Sequence, residues 1–72
     1  MVGDDMVKNK LLEIRLSLGY KFQKDFAEFL ELSPWLYNRY EKNAVQPSAE
    51  NLLIICGKTK FKIEDVIYKV PI

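Results

Sequence analysis

Residues 23–42 read QKDFAEFLELSPWLYNRYEK, two short apolar patterns of helical spacing with a break between them. Phe22, Phe26, Phe29 and Leu30 mark the inward face of a helix over 23–30, and Ala27 is small enough for a close helix contact. The break is sharply punctuated. Ser33 followed by Pro34 is an N-cap with proline at the first helical position, where its missing N–H costs nothing. The next helix then covers PWLYNRYEK, residues 34–42, with Tyr37 and Tyr40 on its buried face and Leu36 partly exposed. Only about two residues, Glu31 and Leu32, separate the helices, so they are expected to cross steeply.

Working outward, Val7, Leu11, Ile14 and Leu18 recur at helical spacing and predict a first helix over 6–18. Asp4 or Asp5 serves as its N-cap and Gly19 ends it. Asn43 to Pro47 reads as a loop. Ser48 caps a fourth helix over 49–58, whose inner face is taken as Ala49, Leu52, Leu53 and Cys56. Ile63, Val66, Ile67 and Val70 predict a short fifth helix over 63–68, with Glu64 and Asp65 at its dipole-favoured N-terminal end. Nothing in the first 67 residues alternates like a strand. The expected fold is therefore all-α: five helices in one domain over residues 1–72, with a loose leader at 1–5. In the tail, residues 68–72, Tyr68, Val70 and Ile72 alternate with Lys69 and Pro71, which points to self-association there or to a tail folded back over helices one and five of its own chain.

Composition narrows the function classes. At 72 residues and 49% hydrophobic, the chain forms one core without disulfides or metal, though only a marginal one. Cys56 is the only cysteine and histidine is absent, which excludes a disulfide framework and a Cys/His zinc site within one chain. No cofactor or small-molecule ligand is expected. With no histidine and no nucleophile beside a base, an active site has little to be built from. No apolar run approaches the roughly 18–20 residues of a bilayer span. The polar start MVGDDMVKNK lacks a signal-peptide core, so a cytoplasmic protein is expected. The net charge is only +1. Any anionic partner must therefore be met by the placement of charge.

Helix, tight turn and helix, both short, is a geometry that lets one helix enter the major groove of DNA. It is also common as plain structure. The residues go further. From Arg15 to Ile67 the chain reads RLSLGYKFQKDFAEFLELSPWLYNRYEKNAVQPSAENLLIICGKTKFKIEDVI. In the order and spacing of Arg15 with Leu18-Gly19, of Gln23, Phe26, Ala27 and Leu30, of Ser33, of NRYEKN, of QPSAENLL and of FKIEDVI, it resembles the Xre/Cro family of phage repressor-like domains, over about residues 8–68.

That resemblance implies sequence-specific binding of double-stranded DNA by a transcriptional regulator, repressor or Cro-like, acting as a homodimer. The helix-turn-helix spans about 23–42. Gln23 matches a phosphate-contacting position at a helix start, with Lys24 beside it, and otherwise is a solvated polar residue. Ser33 is an N-cap on any reading, with a phosphate contact as an addition. Lys42 and Asn43 fall where the family meets the backbone again, or are surface residues only. Pro34, Trp35, Asn38 and Arg39 occupy the groove-facing side. Arg39 matches the O6/N7 edge of guanine, or contacts phosphate or nothing. Asn38 can pair with adenine.

The departures are as informative. Proline and tryptophan stand at 34 and 35 where small polar residues are usual, and Trp35 packs on thymine methyls, in the core or in a protein interface. Glu31 replaces the usual turn glycine, which asks a non-glycine residue for a left-handed conformation at about 1–2 kcal/mol. The link Tyr20-Lys21-Phe22 is one residue longer than usual. Arg15 and Glu41 match a largely buried ion pair that ties the first helix to the end of the third. The competing reading is a protein-interaction module that presents the third-helix face around Trp35 to a partner.

Overall fold

A side chain, more than apolar periodicity, decides where the first helix begins. Asn9 Oδ1 accepts the backbone N–H of Leu11 at 3.1 Å, and such local side-chain bonds compete with helix for the backbone. In the computed structural model, which describes residues 5–71, the chain before that point is a strand. The elements run β1 (Asp5–Asn9), α1 (Leu11–Ser17), α2 (Gln23–Leu30), α3 (Pro34–Glu41), α4 (Ala49–Thr59), α5 (Ile63–Val66) and β2 (Ile67–Pro71).

The all-α expectation is corrected accordingly: five helices are joined by a two-stranded antiparallel sheet. Asp5 pairs with Pro71, Val7 with Lys69 and Asn9 with Ile67. The first helix starts at Leu11 and not at residue 6, and Val7 is an exposed strand residue. Asp5 belongs to β1 and neither caps a helix nor lies in a loose leader. Asp4, the rest of that leader and Ile72 lie outside the described residues. The fifth helix stops at Val66, and Ile67–Pro71 of the tail form a strand paired with β1 of the same chain.

The core comprises Leu11, Ile14, Phe26, Ala27, Leu30, Tyr37, Tyr40, Ile55 and Val66. Burying large aromatic rings dominates the energetics of so small a core. Phe26 meets Tyr37 edge-on, with ring centroids 5.4 Å apart, and Tyr20 lies 5.1 and 5.3 Å from Phe26 and Phe29. Tyr20 thus takes the place expected for Phe22, which points outward and is 61% exposed. On α4 the inner face is rotated from the expected one. Ile55 is buried, Leu52 and Cys56 pack against the core, and Leu53 is 65% exposed.

The ends of the helices follow local chemistry. Ser33 Oγ accepts from the N–H of Leu36, and Ser48 Oγ from that of Asn51, both at 3.1 Å. Gly19 takes φ of 89° after α1, a conformation glycine adopts without steric cost. Glu31, Asn43 and Lys60 adopt left-handed φ of 61°, 62° and 68° at the ends of α2, α3 and α4. As the sequence led us to expect, the turn after α2 places this demand on a residue with a Cβ.

Candidate nucleic-acid interface

The two helices flanking Ser33 are held by one carboxylate. Glu41, the last residue of α3, accepts Arg15 Nε at Oε2 (2.8 Å) and Arg15 Nη2 at Oε1 (3.2 Å). It also accepts the Tyr37 hydroxyl at Oε2 (2.6 Å) and Gln23 Nε2 at Oε1 (2.7 Å). Arg15 spends its other guanidinium nitrogen, Nη1, on the carbonyls of Tyr20 and Lys21, which fixes the lengthened link between α1 and α2. The expected pair is therefore present as a two-point contact, with its side chains only 9% and 7% exposed. Burial pushes the Glu41 carboxyl up, but the hydrogen bonds from Arg15, Tyr37 and Gln23 outweigh it and hold it below the usual carboxylate range. Burial, reinforced by the hydrogen bond to Glu41, pushes the Tyr37 hydroxyl far above its ordinary value. It stays a donor.

A second clamp holds the far end of α3. Asn9 donates from Nδ2 to the Tyr40 carbonyl (2.7 Å) and to Gln46 Oε1 (2.9 Å), while its backbone N–H reaches Asn43 Oδ1 (2.9 Å). Asn43 Oδ1 also accepts Gln46 Nε2. The sequence reading passed over Asn9 and Gln46. An asparagine two residues before the first buried apolar position was the available signal, since that residue type caps helices. Tyr37 was placed in the core from its spacing, and its donor role was not visible there. Among the described residues no buried side-chain nitrogen or oxygen lacks a hydrogen-bond partner.

The expected site residues divide between these clamps and an open face. Gln23 and Asn38 are brought together, Asn38 Nδ2 donating to Gln23 Oε1 at 3.0 Å. With Gln23 Nε2 on Glu41, they form a chain of amides along the seam between α2 and α3. Asn43 commits its carbonyl oxygen inward. Lys24, Ser33, Pro34, Trp35 and Lys42 are exposed.

Trp35 stands out of the core and is 71% exposed. The Arg39 guanidinium carbon lies 5.2 Å from its ring centroid. The Arg39 side chain makes no hydrogen bond or ion pair with any described residue. The face thus presents one aromatic ring, one arginine fork and flanking lysines, and its acid, Glu41, is turned inward. No group of described residues has the His, Cys, Asp or Glu set that would hold a metal ion, and no described helix is long and apolar enough to cross a membrane.

Compared with known proteins, residues 11–66 match the helix-turn-helix family of Xre/Cro type. No curated protein and no solved structure matches the chain.

Proposed function

The chain belongs to the helix-turn-helix family of Xre/Cro type, a family of DNA-binding transcriptional regulators, and from that premise we propose that it binds duplex DNA sequence-specifically as a repressor or Cro-like protein. The observation that supports this most is Arg39, a fork of donors on the outer side of α3 with no acid partner. Its five N–H groups match guanine O6 and N7 in the major groove. Lys24, Lys42 and the exposed Ser33 flank it as contacts to phosphate. Gln23 and Asn38 contribute by holding the seam between the helices, and one Nε2 hydrogen of Gln23 remains for a phosphate. Asn43 acts through the placement of its neighbour Lys42.

One α3 covers a half-site, so the reading includes a homodimer on a palindromic sequence with half-sites about one helical turn apart. The inner edge of β2 is occupied by β1. Self-association therefore uses the outward side of α5 and β2, where Ile63 and Tyr68 are exposed. The whole chain over residues 1–72 acts as one unit in this reading.

Selection of bound fragments from random duplexes, followed by salt titration of the winner, is the test. We expect enrichment of a two-fold sequence with an invariant guanine in each half, and affinity that falls steeply with salt as counterions are released. No enrichment, with retention on DNA columns that ignores salt, would overturn the reading in favour of a protein partner at the exposed Trp35.

A further inference from the structure

Trp35 and Arg39 lie one turn apart on α3, and neither has a use inside the domain. Among the described residues the indole is the most exposed of the large apolar side chains. The guanidinium beside it is held by that contact alone. Arginine carries much rotamer entropy, so a ring that fixes its plane before any ligand arrives removes part of the cost of binding. Such a pair is built for a planar target.

We propose that Trp35 and Arg39 form a two-base reading unit, for a guanine and for the methyl group of a thymine in the neighbouring base pair, an inference that rests on the DNA-binding reading above. A bidentate contact to O6 and N7 places the guanidinium in the plane of the guanine. With its centroid 5.2 Å from the guanidinium carbon, the indole then reaches the level of an adjacent pair. Of the four bases only thymine shows an apolar group in the major groove, its C5 methyl. The indole carries one donor and no acceptor, so beside a cytosine amino group it leaves a donor unmatched, whereas its carbon edge packs on a methyl. Reading by Trp35 is therefore apolar and reading by Arg39 polar, and the contact between them ties the two positions into one step of sequence.

The test removes a single methyl. In the selected duplex, the thymine beside the Arg39-dependent guanine is replaced by deoxyuracil, which keeps every hydrogen-bonding group. Wild-type protein should lose about fourfold in affinity, the equivalent of roughly 0.8 kcal/mol for one methyl returned to water. Trp35→Ala should bind the thymine and uracil duplexes alike, and a 5-methylcytosine at that position should restore part of the wild-type preference over cytosine. Because Trp35 is exposed, an unchanged thermal melt of Trp35→Ala confirms that the fold is intact. Wild-type indifference to the methyl on both sides of the guanine overturns the pairing while leaving DNA recognition standing. Thymine–uracil discrimination that survives in Trp35→Ala does the same. Absence of any selected sequence overturns both.

Discussion

The two faces of α3 make opposite use of polar groups. On the inner face Glu41 accepts four hydrogen bonds and Tyr37 is spent on one of them, so nothing is left for a ligand. On the outer face Arg39 keeps all its donors free and leans on an exposed ring. A recognition helix has to be immovable against its own domain and unsatisfied toward its target. Here both are met within eight residues, Pro34–Glu41, because helical spacing sends Tyr37 and Glu41 one way and Trp35 and Arg39 the other. Satisfaction inside fixes the angle, and incompleteness outside leaves donors open to a ligand.

Breaking the inner face has the largest effect. Arg15→Ala strands Glu41 in a site where its side chain is 7% exposed, and we expect about 3–5 kcal/mol of stability to be lost, read by denaturant unfolding. Replacing both residues by apolar ones of similar volume should recover much of that loss, and an unchanged single mutant would show that the pair carries little. Asn9→Ala removes one of the donors to the Tyr40 carbonyl and leaves Gln46 Oε1 without its Asn9 partner, and should cost about 1–3 kcal/mol. The outer face responds differently. Arg39→Ala should leave melting unchanged and lose about 1–3 kcal/mol of specific binding, with preference relaxed at one base pair. Lys42→Ala should weaken all sequences alike and flatten the salt slope by about one unit.

A pH titration sharpens the same contrast. Glu41 is held below its ordinary value, so its contribution to stability is complete above the unfolded-state value of about 4.5. It is lost as the pH falls through the folded value. Glu41→Gln should flatten that acid limb of the stability curve, whereas Arg39→Ala leaves it in place. The smallest effect is expected from Glu31→Gly. It relieves the left-handed φ of 61° after α2 while giving up an exposed pair with Lys58, and should raise the melting temperature slightly.

What could be read from the sequence depended on the range of the interaction. Ser33 and Ser48 cap α3 and α4 through bonds to backbone three residues away, so the helix-turn-helix boundaries follow from local chemistry. The strands do not. Their partners lie at opposite ends of the chain, and Val7 with Leu11 and Ile14 mimics one face of a helix. The phase of α4 was hidden by the unbroken apolar run Leu52–Cys56, which supports any choice of inner face, and Ile55 was missed for Leu53. Phe22 was assigned inward because the spacing allows it, but the chain turns before α2 and Tyr20 fills that space. The Arg15–Glu41 pair was legible only through family resemblance, and the amide seam of Gln23 with Asn38 not at all, because a polar side chain on a short helix carries no mark of what it faces.

The ladder between β1 and β2 also has a consequence for biosynthesis. A chain leaving the ribosome exposes Asp5–Asn9 before the helices and Ile67–Pro71 after them, so β1 waits for its partner until α1 to α5 have all been made. Asn9 can grip the Tyr40 carbonyl earlier, but the Lys10 amide finds the Val66 carbonyl, 2.8 Å away in the finished fold, only once α5 has been made. Contacts between distant parts of a chain are the slow ones to form. Helices α2 and α3 are thus synthesised between the two strands, and the sheet closes only after both. Products that stop before β2 would carry Trp35 and Arg39 on a scaffold without its sheet, more open to proteases.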